Sequence, residues 1–258
     1  VKNRQEGELS ILMRGLRPLL IALQFLTLLP IRLGPPPQAG ESGYSLLYYP
    51  LVGLILGLVL AGCGWLCGGF TDSLSAALLL TLWVGLTGGL HLDGLADSAD
   101  AWLGGYGDRE RTLAIMHDPC SGPIAVVVLV ILLLLKFTAL QSLVAQGATE
   151  LLIVIPLLGR TALVVLLLTT PYVRPRGLGS QLALEMPRGM SLAVVLLTAI
   201  LVVVWLGLSG MIMLLVSAVI FWLLRWLMMR RIGGTTGDTA GALLEIMETQ
   251  MLLVMVVM

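Results

Sequence analysis

The chain has 258 residues, 58% of them hydrophobic, and its fifteen basic residues balance fifteen acidic ones. A mean hydropathy of +0.99 lies far above that of soluble domains and marks an integral membrane protein, while the absence of net charge argues against a nucleic-acid partner. Cys63 and Cys67 fall inside a predicted membrane helix and Cys120 in a polar loop, a spacing that offers neither a disulfide framework nor a zinc site.

The N-terminus carries Lys2, Arg4, Arg14 and Arg17 without a small-residue cleavage site, which predicts that it is retained. Leu16 to Leu29 is apolar but too short to span comfortably, is closed by Pro30 and has basic residues on both flanks, so it reads as a re-entrant or interfacial helix. The prolines at 35–37 predict a stiff loop. Seven spans follow: Leu46–Cys67, with Gly53 and Gly57 as a small-residue packing face; Leu74–Leu90; Ile124–Leu143; Leu151–Thr170; Ser191–Leu208 and Met211–Met228, a hairpin turning at Ser209 and Gly210; and Ala242–Met258. The expectation is an all-α, polytopic membrane bundle of about seven transmembrane helices plus the N-terminal segment, forming one domain over residues 1–258.

Lysine and arginine set the orientation. Arg109 and Arg111, then Arg174, Arg176 and Arg188, then Arg230 and Arg231 occupy alternate loops, whereas the connectors at 68–73, 144–150 and 209–210 carry no basic residue. By the positive-inside rule the acidic loop 91–122 and the glycine-rich loop 230–241 are cytoplasmic, the N-terminus is inside and the C-terminus outside.

The acidic loop concentrates the chemistry. In a helix, Asp93, Asp97 and Asp100 stand at i, i+4 and i+7 and fall within about 60° of arc. Three carboxylates on one stripe repel, so a divalent cation, arginines or both must offset them, and Ala96 and Gly104 leave room beside the stripe. The next segment begins Asp108-Arg109-Glu110-Arg111 and ends near His117 and Asp118. Carboxylates followed by arginines suit phosphoryl transfer at a diphosphate: oxygen ligands hold magnesium, and guanidinium groups such as Arg109 and Arg111 neutralise phosphate oxygens. A solvated loop is the plainer reading, but it would not confine its aspartates to one face.

His91 lies roughly 160° around a continuous helix from Asp93 and joins the stripe only if the backbone is irregular near Gly88, Gly89 or Gly94. It is a candidate general base or a helix-end histidine. Asp118 is a second candidate ligand or base. The other constellation is Gly233 to Gly241, GGTTGDTAG, opening the last span. Backbone N–H groups at a helix N-terminus bind anions, which makes Thr236 and Gly237 candidates for a phosphate cradle. Asp238 and Glu245 share a face with Glu248 close behind, and acids carried into a membrane are either functional or paired with Arg160 or Arg225.

HLDGLADSAD at 91–100, DRERTLAIMHD at 108–118 and GGTTGDTAGA at 233–242 resemble the signatures of the cobalamin synthase family, the adenosylcobinamide-GDP ribazoletransferases. FLTLLP at 25–30, YYPLVGLILG at 48–57 and YVRPRGLG at 172–179 fit it too, so the resemblance covers nearly the whole chain. It implies a magnesium-dependent enzyme of the cell inner membrane that joins adenosylcobinamide-GDP to α-ribazole or its 5′-phosphate and releases GMP late in cobalamin biosynthesis. Carried over, Asp93, Asp97 and Asp100 match the acidic motif, Asp108 and Arg109 the next, and Asp238, Glu245 and Glu248 the last. With the reading of the residues this gives Asp93, Asp97, Asp118 and His91 as catalytic candidates, Arg109, Arg111, Thr236 and Gly237 for substrate, and Asp93, Asp97, Asp100 and Asp238 for Mg2+. The chain departs from the family at Cys120 and Leu28, where an arginine is usual, and Arg111 or Arg176 is the expected compensation. The partners are the two substrates and the bilayer, with a homo-oligomer left open. A CDP-alcohol phosphotransferase lacks support, because Asp93-Gly94 is followed by Leu95-Ala96 rather than Ala-Arg. A transporter remains as the reading in which Lys136, Arg160 and Glu248 line a pathway.

Overall fold

The computed structural model describes residues 16–34, 40–174 and 178–258. The basic cluster at Lys2, Arg4 and Arg14, the prolines at 35–37, and Arg176 lie outside the described residues.

Helix α1 (Leu16–Leu26) is about 16 Å long, half of a hydrocarbon core. Ala22 and Leu26 bury against Leu46, Tyr49 and Val52. Its end is tied down where the Leu28 N–H donates to the Leu86 carbonyl at 2.8 Å. Helix α2 (Glu41–Ser45) and a 3-10 turn run into α3 (Tyr49–Leu66). The small-residue face of α3 meets backbone: a Cβ on Gly53 would stand 2.3 Å from the Pro156 carbonyl oxygen, and one on Gly57 2.5 Å from that of Ile153. This lets α3 lie directly on α8 (Val154–Thr169).

Helix α4 (Asp72–Thr87), capped by Thr71, ends in two consecutive left-handed glycines, Gly88 at φ 64° and Gly89 at φ 67°. They turn the chain by 87° into α5 (Leu90–Gly104), which carries the aspartate stripe. The short α6 (Arg109–Ile115), α7 (Pro123–Ala145), α8, α9 (Leu178–Leu184), α10 (Arg188–Ile232) and α11 (Gly237–Val257) complete the chain.

The fold is an all-α membrane bundle. Among the described residues five helical segments are long and apolar enough to cross a membrane, or six if the bent α4–α5 pair forms one span. Helix α10, at 45 residues, would measure about 67 Å if straight, twice a hydrocarbon core. It is not straight. Gly207 sits at φ 58°, ψ −129°, backbone open to glycine but not to L side chains. Beyond it a Cβ on Gly210 would lie 2.8 Å from the Val202 carbonyl oxygen, where a continuous helix separates residues eight apart by about 12 Å. The chain therefore turns back, and the break falls at Gly207 rather than at Ser209 and Gly210, because Gly207 supplies the conformation the reversal needs.

The α8 and α11 spans are 67% buried and form the centre, whereas α10, at 17%, turns Val204, Leu215, Val219 and Leu223 outward as a lipid-facing wall. Inside the bundle Lys136 of α7 reaches Glu245 at 2.6 Å and Glu248 at 3.1 Å on α11, and Arg160 of α8 pairs with the other Glu248 oxygen. The ammonium of Lys136 also lies 4.8 Å from the centre of the Trp83 ring.

Candidate active site

The stripe helix and the glycine-rich loop abut through bare backbone. A Cβ on Gly94 would meet the Asp238 carbonyl oxygen at 2.8 Å, and one on Gly241 would meet that of His91 at 3.2 Å. Larger side chains at either position would push α5 off α11. Thr236 caps α11: its hydroxyl accepts from the Thr239 N–H at 3.2 Å, and the Thr239 hydroxyl accepts from the Thr236 N–H at 2.8 Å. The loop is held from its other side by residues 171–173, where the Thr235 N–H donates to the Pro171 carbonyl and the Val173 N–H to the Thr235 carbonyl, both at 2.9 Å. That short parallel pairing aims the next residue, Arg174, at the site. Its guanidinium stands 2.7 Å from the Asp238 carboxylate and 3.4 Å from His117 Nδ1.

A cavity of about 160 Å³ opens between these elements. His91, Asp93 and Gly94 of α5, Tyr172, and Gly237, Asp238 and Gly241 of α11 form one side of it. The Tyr172 hydroxyl lies beside Gly237, 3.7 Å from where a Cβ there would stand, and burial pushes that phenol up from its ordinary range. Asp97 feels the charges of Asp93, Asp238 and Asp100, countered among the described residues by Arg174. A larger hollow of about 570 Å³ lies between the end of α1 and the α4–α5 bend, and Phe25, Leu90 and Asp93 border both spaces. Asp93, exposed at its carboxylate end of the stripe, thus stands where the two hollows meet.

Other candidates from the sequence have different surroundings. Asp100 accepts from the Gly122 and Ala125 N–H groups and so caps the start of α7. Asp118 accepts from the Cys120 N–H in an exposed turn and does not border the cavity. Arg109 donates to the Ile232 carbonyl at 2.8 Å, and Arg111 lies 5.1 Å from the centre of the exposed Tyr106 ring. A Cβ on Gly104 would meet Ile115 at 2.9 Å, so its smallness serves α6 packing. Glu245 and Glu248 are spent on Lys136 and Arg160. Sequence reasoning gave Tyr172 and Arg174 no role in the site, although both lie in the YVRPRGLG stretch; the conspicuous polar loop was the available signal.

Among the described residues no three His, Cys, Asp or Glu side chains are grouped as a metal site. The donor set nevertheless fits magnesium: hard carboxylate oxygens of Asp93 and Asp238 share one cavity, and Mg2+ is usually held by one or two carboxylates together with substrate phosphates rather than by an all-protein cage.

The family model for cobalamin-5-phosphate synthase matches residues 18–256. An adenosylcobinamide-GDP ribazoletransferase of Pseudomonas syringae pv. syringae is 59% identical over 236 residues, covering 92% of this chain and 97% of the relative. One from a Pseudomonas putida strain is 60% identical over 236 residues, with the same coverage, and one from Stutzerimonas stutzeri is 58% identical over 235 residues, covering 91% and 96%. No solved structure matches the chain. With signatures, architecture and full-length relatives in agreement, the chain belongs to the cobalamin-5-phosphate synthase family.

Proposed function

We propose that the chain is a magnesium-dependent adenosylcobinamide-GDP ribazoletransferase acting in the α5–α11 cavity. The observation that carries this is the meeting of Asp93, Asp238 and His91 on one cavity with Arg174 at its rim, although Asp93 and Asp238 are 145 residues apart in the chain. A ribose hydroxyl of α-ribazole, or of its 5′-phosphate, attacks the phosphorus nearer the cobinamide; the bond from that phosphorus to the bridging oxygen breaks, and GMP leaves with the electron pair. Asp93, Asp97 and Asp238 are the residues to hold Mg2+, which when bound supplies positive charge across the diphosphate and on the leaving oxygen. Arg174, whose guanidinium stands beside Asp238 at the rim, would meet the phosphates, and the N-terminus of α11 at Gly237 directs N–H groups toward them. His91, buried on the cavity wall, accepts the proton of the attacking hydroxyl. Thr236 shapes the cradle as the cap of α11, Asp100 holds the α5–α7 corner, and Arg109, Arg111 and Asp118 bear on substrate from outside the cavity.

The topology that goes with this reading has seven crossings in the cell inner membrane: the Glu41–Leu66 segment, the bent α4–α5 pair, α7, α8, two arms of α10 divided at Gly207, and α11. The N-terminus and the site face the cytoplasm, in keeping with Arg109, Arg111, Arg174, Arg230 and Arg231 on one side. Purified protein supplied with adenosylcobinamide-GDP, α-ribazole and Mg2+ is expected to release GMP; no release with any of the three omitted, and none with all three present, separates support from refutation.

A further inference from the structure

The rest of the cavity's lining is built differently. Phe25 of α1, Tyr49 of α3, Leu163 and Leu167 of α8 and Leu182 of α9 wall it. The Phe25 and Tyr49 rings lie nearly parallel, at 22° with centroids 6.3 Å apart. Two residues that line the cavity carry unpaired polar atoms: among the described residues the Tyr49 hydroxyl and His91 Nε2 are buried without a hydrogen-bond partner. The residues that carry them are 2% and 5% exposed. A buried polar atom left unpaired is destabilising, and two of them bordering one apolar cavity describe a place where a ligand completes the bonding.

We infer that this pocket receives the planar heteroaromatic base of the acceptor nucleoside, for α-ribazole a dimethylbenzimidazole, with the Tyr49 hydroxyl donating to its one unsubstituted ring nitrogen and His91 Nε2 left to accept from the attached ribose; this rests on the transferase reading above. Size excludes the larger candidates. A cavity of about 160 Å³ lies below the range of pockets that enclose drug-sized ligands and cannot hold a corrinoid ring, for which the larger hollow on the other side of Asp93 is open. Guanine is small enough but carries donors and acceptors along most of its edge. Leucines and phenylalanine would leave those groups unsatisfied, whereas the methylated edge of dimethylbenzimidazole asks for no bonds. A lipid acyl chain would leave both Tyr49 and His91 unpaired. The placement also suits the chemistry: with the base against the apolar lining, the attached ribose lies along His91 and presents its hydroxyls toward Asp93 and Asp238.

The test is binding of α-ribazole to the full chain in lipid nanodiscs, by equilibrium dialysis, with GMP release assayed on the same samples. Free 5,6-dimethylbenzimidazole is expected to compete with α-ribazole and not with adenosylcobinamide-GDP. Tyr49→Phe, which removes an oxygen with no protein partner and keeps the ring, should weaken α-ribazole about fivefold, the loss of one hydrogen bond. Leu167→Phe, filling a half-buried position on the wall, should weaken it more, and the KM for adenosylcobinamide-GDP should stay within about twofold in both. Unchanged α-ribazole affinity in Tyr49→Phe and Leu167→Phe, or failure of dimethylbenzimidazole to compete, overturns the base pocket even if wild-type protein releases GMP. Competition and weakened binding without GMP release leave the base pocket standing and overturn the transferase reading.

Discussion

Helix α11 carries two sets of acids, and their surroundings differ in one respect that decides their roles. Deep in the bundle Glu245 and Glu248 meet Lys136 and Arg160, two cations for two anions, at contact distance. At the mouth of the same helix Asp238 shares its cavity with Asp93 and its field with Asp97, and among the described residues one guanidinium, that of Arg174, answers the three. A balanced buried cluster ties helices together and has no charge left for a ligand, while an excess of carboxylate at an open cavity calls for a cation. Lys136, Arg160 and Glu248, which would line the pathway of a transporter, pair with one another instead of facing a cavity partner.

The sharpest way to break that contrast is to leave one deep cation without its anion. Glu248→Ala strands Arg160 and half of the Lys136 pairing inside the bundle, and should cost about 3–5 kcal/mol, read as a collapse of thermal stability in detergent with turnover lost alongside it. Asp93→Asn should do the reverse: at least about 100-fold lower turnover, as for loss of a principal electrostatic group in an active site, with the melting temperature within a degree or two of wild type. Comparable thermal losses in both variants would erase the distinction. Arg174→Ala should raise the KM for adenosylcobinamide-GDP about tenfold, the scale of one hydrogen bond to a charged group, and leave that for α-ribazole in place. The smallest effect is expected at Asp100. Its carboxylate caps α7, so Asp100→Ala should cost about 1 kcal/mol of stability while the Mg2+ concentration for half-maximal turnover stays unchanged; a shifted Mg2+ optimum would return Asp100 to the ligands.

Much of this was legible before any coordinates. The aspartate stripe on one helix, the small-residue face at Gly53 and Gly57, and the opening of residues 91–100 and the loop at 233–241 on the same side of the bundle follow from spacing and from the alternation of basic loops. His91 was legible only conditionally: the backbone is irregular at Gly88 and Gly89, which both adopt positive φ, and His91, in the first turn of α5, borders the cavity together with Asp93. What spacing does not reveal is how a group is spent. Asp100 belongs to the stripe by angle, yet the N-terminus of α7 takes its oxygens, a contact 22 residues away. Thr236 reads as part of a phosphate cradle, but its hydroxyl closes a capping box with Thr239. Arg109 and Arg111 were the arginines nearest the stripe in sequence, whereas Arg174 reaches Asp238 through the pairing of residues 171–173 with the glycine-rich loop. Long-range backbone pairing of that kind has no local signature.

The claim that surplus charge marks the cation site is tested most directly by divalent-ion binding, measured through the electron paramagnetic resonance of Mn2+ with the full chain and adenosylcobinamide-GDP present. Asp93→Asn and Asp238→Asn are each expected to weaken Mn2+ binding by about tenfold or more, the scale of one charged contact, whereas Glu245→Gln, which alters the balanced cluster on the same helix, leaves it unchanged in the folded protein. Equal weakening by Glu245→Gln, or Mn2+ affinity indifferent to Asp93→Asn, would contradict the account.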